Sequence, residues 1–297
     1  MPSTVAVLGL GAMGVPMAQA MAPTLTVRAF DPDPGRRRLA QEHGVSVHAT
    51  AREAVAGAGV VLLAVRDASQ VEQVLLASDH GVLEVLEHGA AVVLTSTVGI
   101  DAVRELDEAM ARSGALLVDA PVSGGPVRAG DGDLVVLVAG SPQARERAGN
   151  VLSAIGSTVT VVGDRPGDGQ ALKTVNQLLC GVHIAAAAEA LALARRLGLD
   201  LRLALDALTQ GAAHSFMLQD RGERMVQLVE GADPEVLSTV GIFVKDLSIV
   251  AEASRSAAVP TPVASAAEHL FRIAARMGQD RADDSTVLNT LIDPSSR

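Results

Sequence analysis

The residue types best suited to chemistry in this chain are a lysine and two amides that follow a pair of glycines. Lys173, Asn176 and Gln177 close the segment Gly167–Gln177, and Lys245 is the only other lysine among 24 basic residues. Arginine is effectively never deprotonated in a protein, whereas a desolvated lysine can lose its proton near neutral pH. Lys173 is therefore a candidate general acid and base, and the alternative is a surface lysine without a special role.

One long helix must position this polar triplet. The pattern predicts a helix from Asp168 to about Leu197, with Asp168 as its cap and Gly198 at its end. Positions i, i+3 and i+4 share one helix face, so the three polar side chains are predicted to lie together. That face is either a solvent-facing first turn or a polar cleft in which the lysine faces a substrate. The most apolar part, Leu178–Ala194, is short for a membrane span and is interpreted as a buried helix.

The N-terminal segment has the pattern strand, glycine-rich turn and helix. An apolar run, Val5–Leu8, leads into a G-x-G-x-x-G motif, and an apolar helical pattern continues to Met21. In dinucleotide-binding domains the glycines allow a tight turn, close approach of the pyrophosphate and packing of helix on strand. The pattern predicts dinucleotide binding, with a purely structural turn as the alternative. The predicted cofactor-binding residues here are Gly9, Leu10, Gly11, Ala12, Met13 and Gly14.

An acidic residue after the second strand bears on the choice of cofactor. Asp31 follows the predicted strand Thr26–Phe30 and lies 22 residues beyond the first glycine of the motif. This is near the spacing of the acid that binds the adenosine ribose, and a carboxylate there repels a 2′-phosphate, so NAD is predicted rather than NADP. Arg36, Arg37 and Arg38 could approach such a phosphate, but we interpret them as the solvated start of a helix.

Strand and helix patterns alternate through the first half of the chain. They predict an α/β fold: a Rossmann-type, doubly wound, mostly parallel sheet followed by an all-α domain. Glycine and proline cluster near Gly163–Gly167, so we predict an NAD-binding domain at residues 1–164 and a helical substrate and oligomerisation domain at 165–297. The further predicted strands are Val60–Val65, Ala91–Thr95, Leu116–Asp119, Leu134–Ala139 and Thr158–Val162. The further predicted helices are Asp101–Arg112, Pro142–Ile155, Leu201–Gln210, His214–Leu228, Pro234–Ala257 and Thr261–Met277.

Loops after the predicted strands are the expected ligand sites, because ligands bind at the carboxyl ends of parallel strands. The turn at Val65 and Arg66, and the turn containing Thr97, are therefore predicted to lie beside the cofactor. The loop Ser123-Gly124-Gly125 is polar and glycine-rich, so it can aim N–H groups and a hydroxyl at a carboxylate. An ordinary connection is the alternative interpretation of this loop.

Composition narrows the classes of partner. The net charge of -10 argues against nucleic acid and anionic membranes, although a small anionic substrate remains compatible. The single Cys180 excludes an internal disulfide and fits a reducing compartment, so we predict a cytoplasmic protein. The seven histidines show no metal-ligand spacing, and no metal is predicted. The long apolar helix and a core without Trp or Tyr predict a homodimer or homotetramer.

Four motifs in chain order resemble those of the 3-hydroxyacid (β-hydroxyacid) dehydrogenase family. Val7–Gly14 resembles the family's cofactor signature, and Asp119–Gly125, with Ala129 and Gly132 beyond it, resembles the family's substrate loop. Gly167–Gln177 resembles the family's catalytic helix, and Lys245-Asp246-Leu247 resembles its late lysine motif. Together the motifs span nearly the whole chain. Within the family, His214–Met217 and Phe243–Leu247 look most like the L-threonate dehydrogenases.

The resemblance implies an activity and a role for each motif. The implied reaction is NAD-dependent oxidation of a small hydroxy carboxylic acid by hydride transfer, with a lysine general acid and base. Candidate substrates are L-threonate, 3-hydroxyisobutyrate and glycerate or tartronate semialdehyde. The implied catalytic residues are Lys173 and Asn176. The implied substrate-binding residues are Ser123, Gly124, Gly125, Lys173 and Asn176, and those implied near the cofactor are Val65, Arg66, Thr97 and Lys245.

The chain departs from the family pattern at the rim of the cofactor site. Arg66 stands where proline is usual, Leu94 stands where aspartate is usual, and no proline follows the pair Ser96-Thr97. These changes bear on cofactor choice and affinity more than on the lysine chemistry. Two other functions remain: an NADPH-dependent imine or semialdehyde reductase of the same fold, and a non-catalytic dinucleotide-binding scaffold. Lys173 speaks against both, and Asp31 speaks against the first.

Overall fold

The computed structural model describes residues 3–292. They form two compact units, the first ending at Lys173 and the second beginning at Thr174. The boundary falls inside one helix, so the first turn and a half of that helix belongs to the first unit. The domain division at 164/165 remains a prediction, and so does the fraying expected after Leu291, most of which lies outside the described residues.

The first unit is built on a nine-stranded sheet with the strand order β3-β2-β1-β4-β5-β6-β8-β7, in which β9 also pairs with β8. Strands β1 to β6 run parallel, β8 runs antiparallel to β6 and β7, and β9 is parallel to β8. The predicted, mostly parallel sheet is thus confirmed. The strands are β1 (Thr4–Leu8), β2 (Thr26–Phe30), β3 (Ser46–Val47), β4 (Val60–Leu63), β5 (Ala91–Leu94), β6 (Leu116–Asp119), β7 (Val122–Ser123), β8 (Val135–Ala139) and β9 (Thr158–Gly163).

Two apolar layers cover the two faces of this sheet. Val5 and Val7 of β1 belong to one core cluster, and the alternating residues Ala6 and Leu8 belong to another. A parallel sheet buried on both faces needs such continuous apolar strands. The covering helices are α1 (Gly14–Met21), α2 (Pro34–Glu42), α3 (Ala51–Val55), α4 (Ala68–Leu76), α5 (Ile100–Ser113), α6 (Gly125–Gly130) and α7 (Pro142–Ile155).

Helix α8 (Asp168–Arg196) is the long helix predicted from the sequence. Its length and apolar composition alone would allow it to cross a membrane, but half of its most apolar window is buried, as in the core helix of a globular protein. Gly198 adopts a φ of 76° just beyond its end, and the Leu199 N–H donates to the Ala194 carbonyl. The glycine therefore ends the helix, as predicted, because a left-handed residue there satisfies the last carbonyls.

The described part of the second unit contains helices and no sheet strand, as predicted. Its core joins α8 to the later helices and includes Phe243 stacked on Phe271, with ring centroids 5.1 Å apart. The helices are α9 (Leu201–Gln210), α10 (Phe216–Val229), α11 (Val240–Ser256) and α12 (Pro262–Ala274), followed by a π-helical turn at Ala275–Gln279 and a 3-10 helix at Asp284–Thr290.

A buried group of ion pairs, which we call the arginine–aspartate cluster, fastens the last helix to α10. Arg224 donates to Asp283 over 2.9 Å, and Arg221 donates to Asp284 over 3.0 Å. Asp220 bonds both arginines at 2.7 Å. Both later aspartates are almost fully buried, so each depends on its arginine for the hydrogen bonds that water would otherwise supply.

One predicted helix begins in the wrong place. The sequence predicted a helix from Pro234, but α11 begins at Val240, with the side chain of Thr239 as its cap. The preceding residues instead bond to the segment near the C-terminus: the Leu237 N–H donates to Asp283, and the Asp284 N–H donates to the Ser238 carbonyl. These tertiary bonds replace the helical ones, and nothing in the local sequence pattern announces them.

Candidate active site

The glycine-rich turn after β1 has the shape that the motif predicts. Gly9 adopts a φ of 97°, and a Cβ there would lie 2.4 Å from the Ala64 carbonyl oxygen. A Cβ at Gly14 would lie 1.9 Å from the Gly9 carbonyl oxygen. At Gly11 the nearest atom is 3.9 Å away, so this backbone is open to a close ligand. The first and third glycines are required by packing, and the second leaves the space that a pyrophosphate needs.

Asp31 closes this turn from the end of β2. Its buried carboxylate accepts hydrogen bonds from the Leu10 and Asp33 N–H groups, each 2.8 Å long. An ionised carboxylate has about four acceptor sites, so two bonds leave capacity for ribose hydroxyls. The residues present therefore fit a dinucleotide: an open glycine turn followed by a helix, and an acid held at its side.

The three arginines after Asp31 are only partly the solvated face predicted. Arg36 and Arg38 are exposed at the start of α2, as expected. However, the Arg36 guanidinium lies 3.6 Å from the Asp31 carboxylate, and Arg37 donates to the Asp31 carbonyl oxygen over 2.6 Å while lying over the Phe30 ring. Two of the three therefore surround the predicted ribose site.

The turns after β4 and β5 are joined by a hydrogen bond. The Val65 N–H donates to the Ser96 hydroxyl over 3.0 Å, so these predicted cofactor-side residues lie at one edge of the sheet. The Arg66 side chain is exposed and pairs with Asp67, while its N–H donates to the Gln70 side chain over 2.9 Å. The proline usual in the family could not make that last bond. Leu94, in place of the usual aspartate, lies fully buried in the core.

The predicted carboxylate loop leads from β7 into α6. Ser123 pairs with Val135 of β8, and the two glycines that follow have φ values of 143° and 75°. A Cβ at Gly124 would lie 2.9 Å from Leu134, whereas one at Gly125 would meet nothing within 4 Å. Glycine is therefore required at both positions by backbone conformation, and at the first also by packing.

Lys173 lies in the second turn of α8 and is 6% exposed, and Gln177, one turn later, is 7% exposed. The solvent-facing interpretation of this helix face is therefore wrong. Asn176 is half-buried on the same face. The lysine belongs to the same compact unit as the glycine turn, Asp31 and the Ser123 loop.

Hydrogen bonds from neutral donors to a carboxylate attach the first turn of α8 to the sheet. We call the residues that make them, Asp119, Gln170 and Gly167, the aspartate–glutamine cluster. The fully buried Asp119 carboxylate accepts hydrogen bonds from the Gly167 N–H, the Gln170 N–H and the Gln170 side-chain amide, at 2.8, 3.0 and 3.0 Å. Burial raises the pKa of Asp119, although the donors from Gln170 and Gly167 act in the opposite direction.

Gln170 was not among the site residues predicted from the sequence. Its side-chain oxygen accepts from the Val98 and Gly99 N–H groups at 3.0 and 3.2 Å, and its amide nitrogen also donates to the Ser96 carbonyl over 3.1 Å. The sequence signal that could have pointed to it is the glycine before it, Gly169. The structure gives the reason for that glycine, because a Cβ there would lie 2.9 Å from the Asp119 carboxylate. A glycine required by packing marks a close approach of helix and sheet.

In the second unit, a chain of polar contacts links Asn176 to the late lysine motif. The Asn176 amide nitrogen donates to the Gln177 oxygen over 2.8 Å and lies 3.5 Å from the Cys180 sulfur. The Gln177 amide nitrogen donates to the buried Asp246 carboxylate over 2.5 Å, and Lys245 pairs with Asp246 at 2.7 Å. Both contacts use the Asn176 amide nitrogen, and within residues 3–292 no hydrogen bond to its side-chain oxygen is seen.

His214 and Ser215 at the start of α10, and possible metal ligands, are the last features to be placed. Ser215 caps α10 by accepting from the Leu218 N–H, and His214 precedes it as an exposed residue. Within residues 3–292 no group of three or more His, Cys, Asp or Glu side chains is arranged to hold a metal ion.

Comparison with known proteins agrees with both halves of this architecture. Residues 4–163 match the model of the NAD binding domain of 6-phosphogluconate dehydrogenase, and residues 167–291 match the NAD-binding domain of NADP-dependent 3-hydroxyisobutyrate dehydrogenase. The chain is 37% identical to an L-threonate dehydrogenase from Cupriavidus necator, over 97% of this chain and 96% of that protein. It is 30% identical to a 2-hydroxy-3-oxopropionate reductase from Escherichia coli, over 96% of this chain and 95% of that protein.

A solved structure shows the same fold. The crystal structure of a 3-hydroxyisobutyrate dehydrogenase from Salmonella typhimurium matches with a TM-score of 0.89 at 36% identity, over 97% of this chain and 99% of that one. The fold and the glycine turn define a dinucleotide-dependent dehydrogenase with a Rossmann domain and a helical C-terminal domain. The chain belongs to the 3-hydroxyacid dehydrogenase family, and it is an NAD(P)-dependent oxidoreductase that acts on hydroxy acids.

Proposed function

We propose that this protein oxidises a short hydroxy carboxylic acid with NAD and that Lys173 is the general acid and base. L-threonate is the first candidate substrate, because an L-threonate dehydrogenase is among the relatives that align along nearly the whole chain. 3-Hydroxyisobutyrate and glycerate or tartronate semialdehyde follow, on the similarity to a 3-hydroxyisobutyrate dehydrogenase and a 2-hydroxy-3-oxopropionate reductase. The last of these supports the reverse direction, reduction of a semialdehyde, as a second candidate.

The observation that carries the proposal is the burial of Lys173. In a chain that otherwise uses arginine, one of two lysines is 6% exposed on a helix that begins at the carboxyl edge of the sheet. Burial disfavours the charged form of an amine, so a buried lysine can be unprotonated and available as a proton acceptor, which arginine cannot be. The family resemblance assigns the same residue to catalysis.

In the proposed reaction Lys173 accepts the hydroxyl proton of the substrate, and it returns that proton when the reaction runs in reverse. The hydride that leaves the hydroxyl-bearing carbon would pass to the nicotinamide when NAD is bound, and it would return in the reverse reaction. Ser123, Gly124 and Gly125 hold the substrate carboxylate through the Ser123 hydroxyl and backbone N–H groups. Asn176 supplies an acceptor oxygen one turn beyond the lysine on the same helix. General acid–base help of this kind contributes about 10²–10⁴-fold to a rate.

Asp31 supports NAD as the preferred cofactor, because its buried carboxylate would repel a 2′-phosphate. The Val65–Arg66 turn, Thr97 and Lys245 are proposed to lie near the cofactor. The test is the ratio of kcat/KM for NAD and NADP, measured for the wild type and for Asp31→Ser. We expect the wild type to prefer NAD and the variant to shift toward NADP, since Arg36 loses its carboxylate partner. A wild type that prefers NADP contradicts this assignment.

The chain is further proposed to act in the cytoplasm as a homodimer or homotetramer, without nucleic acid or membrane partners. Exposed apolar side chains recur at three- and four-residue spacing on α8: Leu172, Val175 and Leu179. Such a stripe is typical of a surface that a second copy covers. Light scattering of the purified protein measures the oligomeric state, and a monomer at micromolar concentration contradicts the proposal.

The function is tested by following NADH formation with threonate, 3-hydroxyisobutyrate, glycerate and serine, for the wild type, Lys173→Arg and Lys173→Ala. We expect turnover with at least one substrate and a loss of about 10²–10⁴-fold in both variants, because arginine keeps the charge but cannot accept the proton. Arg202→Ala is the control, since Arg202 is an exposed residue paired with Glu230 and has no part in the proposed reaction, and we expect it to retain the turnover.

Three outcomes contradict the proposal in different ways. Near-normal turnover by Lys173→Arg excludes the lysine as acid and base. NADPH-dependent reduction of an imine or semialdehyde, without oxidation of any hydroxy acid, favours the reductase alternative. Tight NADH binding without any turnover favours the scaffold.

A further inference from the structure

The Asp119 carboxylate is fully buried and lies where helix α8 begins. It ends β6, and its three hydrogen-bond donors are neutral N–H groups from Gly167 and Gln170. Unpaired N–H groups at a helix N-terminus carry a partial positive charge, so a carboxylate there is favourable and binds the helix end firmly. This single side chain therefore fixes the start of α8 against the sheet.

Gln170 adds direction to that attachment. Its oxygen accepts two bonds, from Val98 and Gly99, and its nitrogen donates two, to Ser96 and Asp119. An amide has two donor hydrogens and two acceptor sites, so all four positions are filled. Turning the amide over would set donor against donor at two places and acceptor against acceptor at the others. The first turn of α8 is thereby held in one rotation about its axis by the ends of two strands.

The helix also approaches the sheet as closely as its backbone allows. A Cβ at Gly169 would lie 2.9 Å from both the Asp119 carboxylate and the Leu137 carbonyl oxygen. Gly169 and Gln170 stand four and three residues before Lys173, so all three share one helix face. Along the axis the lysine is only about 4.5 Å beyond Gln170. Any shift or rotation of the first turn of α8 therefore also moves Lys173.

We propose that Asp119 and Gln170 are positioning residues that set the placement of Lys173 for proton transfer. This inference rests on the proposed role of Lys173 as acid and base. Displacement of a reacting group by about 1 Å can lower a rate by about 10²-fold. Loss of the aspartate–glutamine cluster should therefore lower turnover by more than the energies of its hydrogen bonds alone would suggest. Neither residue contacts the substrate or the cofactor in this scheme, and both act through the helix.

The hydrogen bonds define a test by exchange of amide and carboxylate. In Asp119→Asn, the new amide nitrogen faces the amide nitrogen of Gln170, and neither side can turn over without losing other bonds. In Gln170→Glu, two carboxyl groups face each other. In the double variant Asp119→Asn/Gln170→Glu, the asparagine donates to the glutamate, and the glutamate still accepts from Val98 and Gly99. The one unfavourable contact left is at the Ser96 carbonyl oxygen, which faces a glutamate oxygen in place of its donor, so the rescue is partial.

We expect Asp119→Asn to lower kcat by about 10–10²-fold with little change in the KM for NAD, because the helix shifts while the glycine turn does not. Adding Gln170→Glu should then raise kcat, although the same substitution does not raise it in the wild type. Gln170→Leu in the Asp119→Asn background is the matched control and should give no rescue. NADH fluorescence and circular dichroism establish that each variant is folded and binds cofactor.

The result that overturns the positioning role is an unchanged kcat in Asp119→Asn, or a double variant no faster than the single one. If Asp119→Asn does not fold, Gln170→Leu alone is decisive, since it keeps the size of the side chain and loses its four bonds; an unchanged kcat there also overturns the role. Lys173→Ala separates the two proposals. If Lys173→Ala remains active, the function proposed for the lysine is wrong. If it keeps only the residual turnover expected, Asp119→Asn should add no further loss to that residual kcat, and an additional loss of similar size shows that Asp119 acts elsewhere.

Discussion

Two of the polar clusters described above hold buried carboxylates in different ways. In the aspartate–glutamine cluster, one carboxylate is held by neutral N–H groups at the start of a helix. In the arginine–aspartate cluster, three carboxylates are held by two guanidinium groups. The first lies one helical turn before Lys173, whereas the second fastens the 3-10 helix near the C-terminus to α10.

The difference concerns what each kind of bond can control. Backbone N–H groups and an amide saturated by four partners fix direction, so the aspartate–glutamine cluster is suited to placing a helix. Guanidinium groups supply the positive charge that compensates buried carboxylates. Removal of one arginine leaves a buried carboxylate without that compensation, which costs a large desolvation free energy. We therefore expect disruption of the first cluster to lower turnover most, and disruption of the second to lower stability most.

The largest stability effect is expected from Arg224→Met. The variant leaves Asp283 and Asp284, both almost fully buried, without part of their charge compensation. We expect a loss of about 3–5 kcal/mol in the free energy of unfolding, with kcat unchanged at temperatures where the protein stays folded. Urea unfolding followed by far-ultraviolet circular dichroism measures it. Arg202→Met, at an exposed pair with Glu230, is the control and should change little; an equal effect of the two substitutions would remove the distinction between buried and surface pairs.

An intermediate effect is expected from Gly169→Ala. The added methyl group meets the Asp119 carboxylate and the Leu137 carbonyl at 2.9 Å, so we expect a loss of about 1–3 kcal/mol in stability and a lower kcat. Gly149→Ala is the matched control, because a Cβ at that position in α7 meets nothing within 4 Å. It should stabilise the protein by about 0.5–1 kcal/mol without changing kcat. Equal kcat values for the two variants would show that the close approach at Gly169 has no role in turnover.

The smallest effect is a difference of sign in the pH dependence of stability. Burial alone would raise the pKa of Asp283, but the Ser285 donors and Arg224 together lower it, whereas burial raises the pKa of Asp119. A lowered pKa gives stability that is present above the unfolded value and lost as the pH falls through the folded value. A raised pKa has the opposite effect, because protonation then favours the folded state.

Unfolding free energies of the wild type, Asp283→Asn and Asp119→Asn, measured from about pH 7 down to about pH 3, test this difference. The advantage of the wild type over Asp283→Asn should shrink as the pH falls below the unfolded pKa of aspartate. Relative to Asp119→Asn, the wild type should instead gain stability as the pH falls from the raised pKa of Asp119 toward the unfolded value. The same sign for both variants contradicts the assignment.

Much of the architecture follows from local pattern. The strands β1, β2 and β6 and the helices α7 to α9 begin and end within one or two residues of the predicted positions. Apolar periodicity and glycine placement act over a few residues, so they can be recognised in the sequence. The start of α11 could not be predicted, because the backbone before it bonds to Asp283 and Asp284, more than forty residues later.

For the site, the sequence by itself determined that Lys173 is one of only two lysines, and it predicted that Asp31 acts together with the glycine turn, to which the Leu10–Asp31 hydrogen bond joins it. Scarcity of lysine and motif spacing are properties of the chain, so they need no coordinates. Only the tertiary structure decided that Lys173 is buried, that Arg36 and Arg37 surround Asp31, and that Gln170 joins the start of α8 to two strand ends. The partners of Gln170 lie 51 to 74 residues away, and hydrogen-bond direction between such distant segments is fixed by packing, which leaves no periodic trace in the sequence.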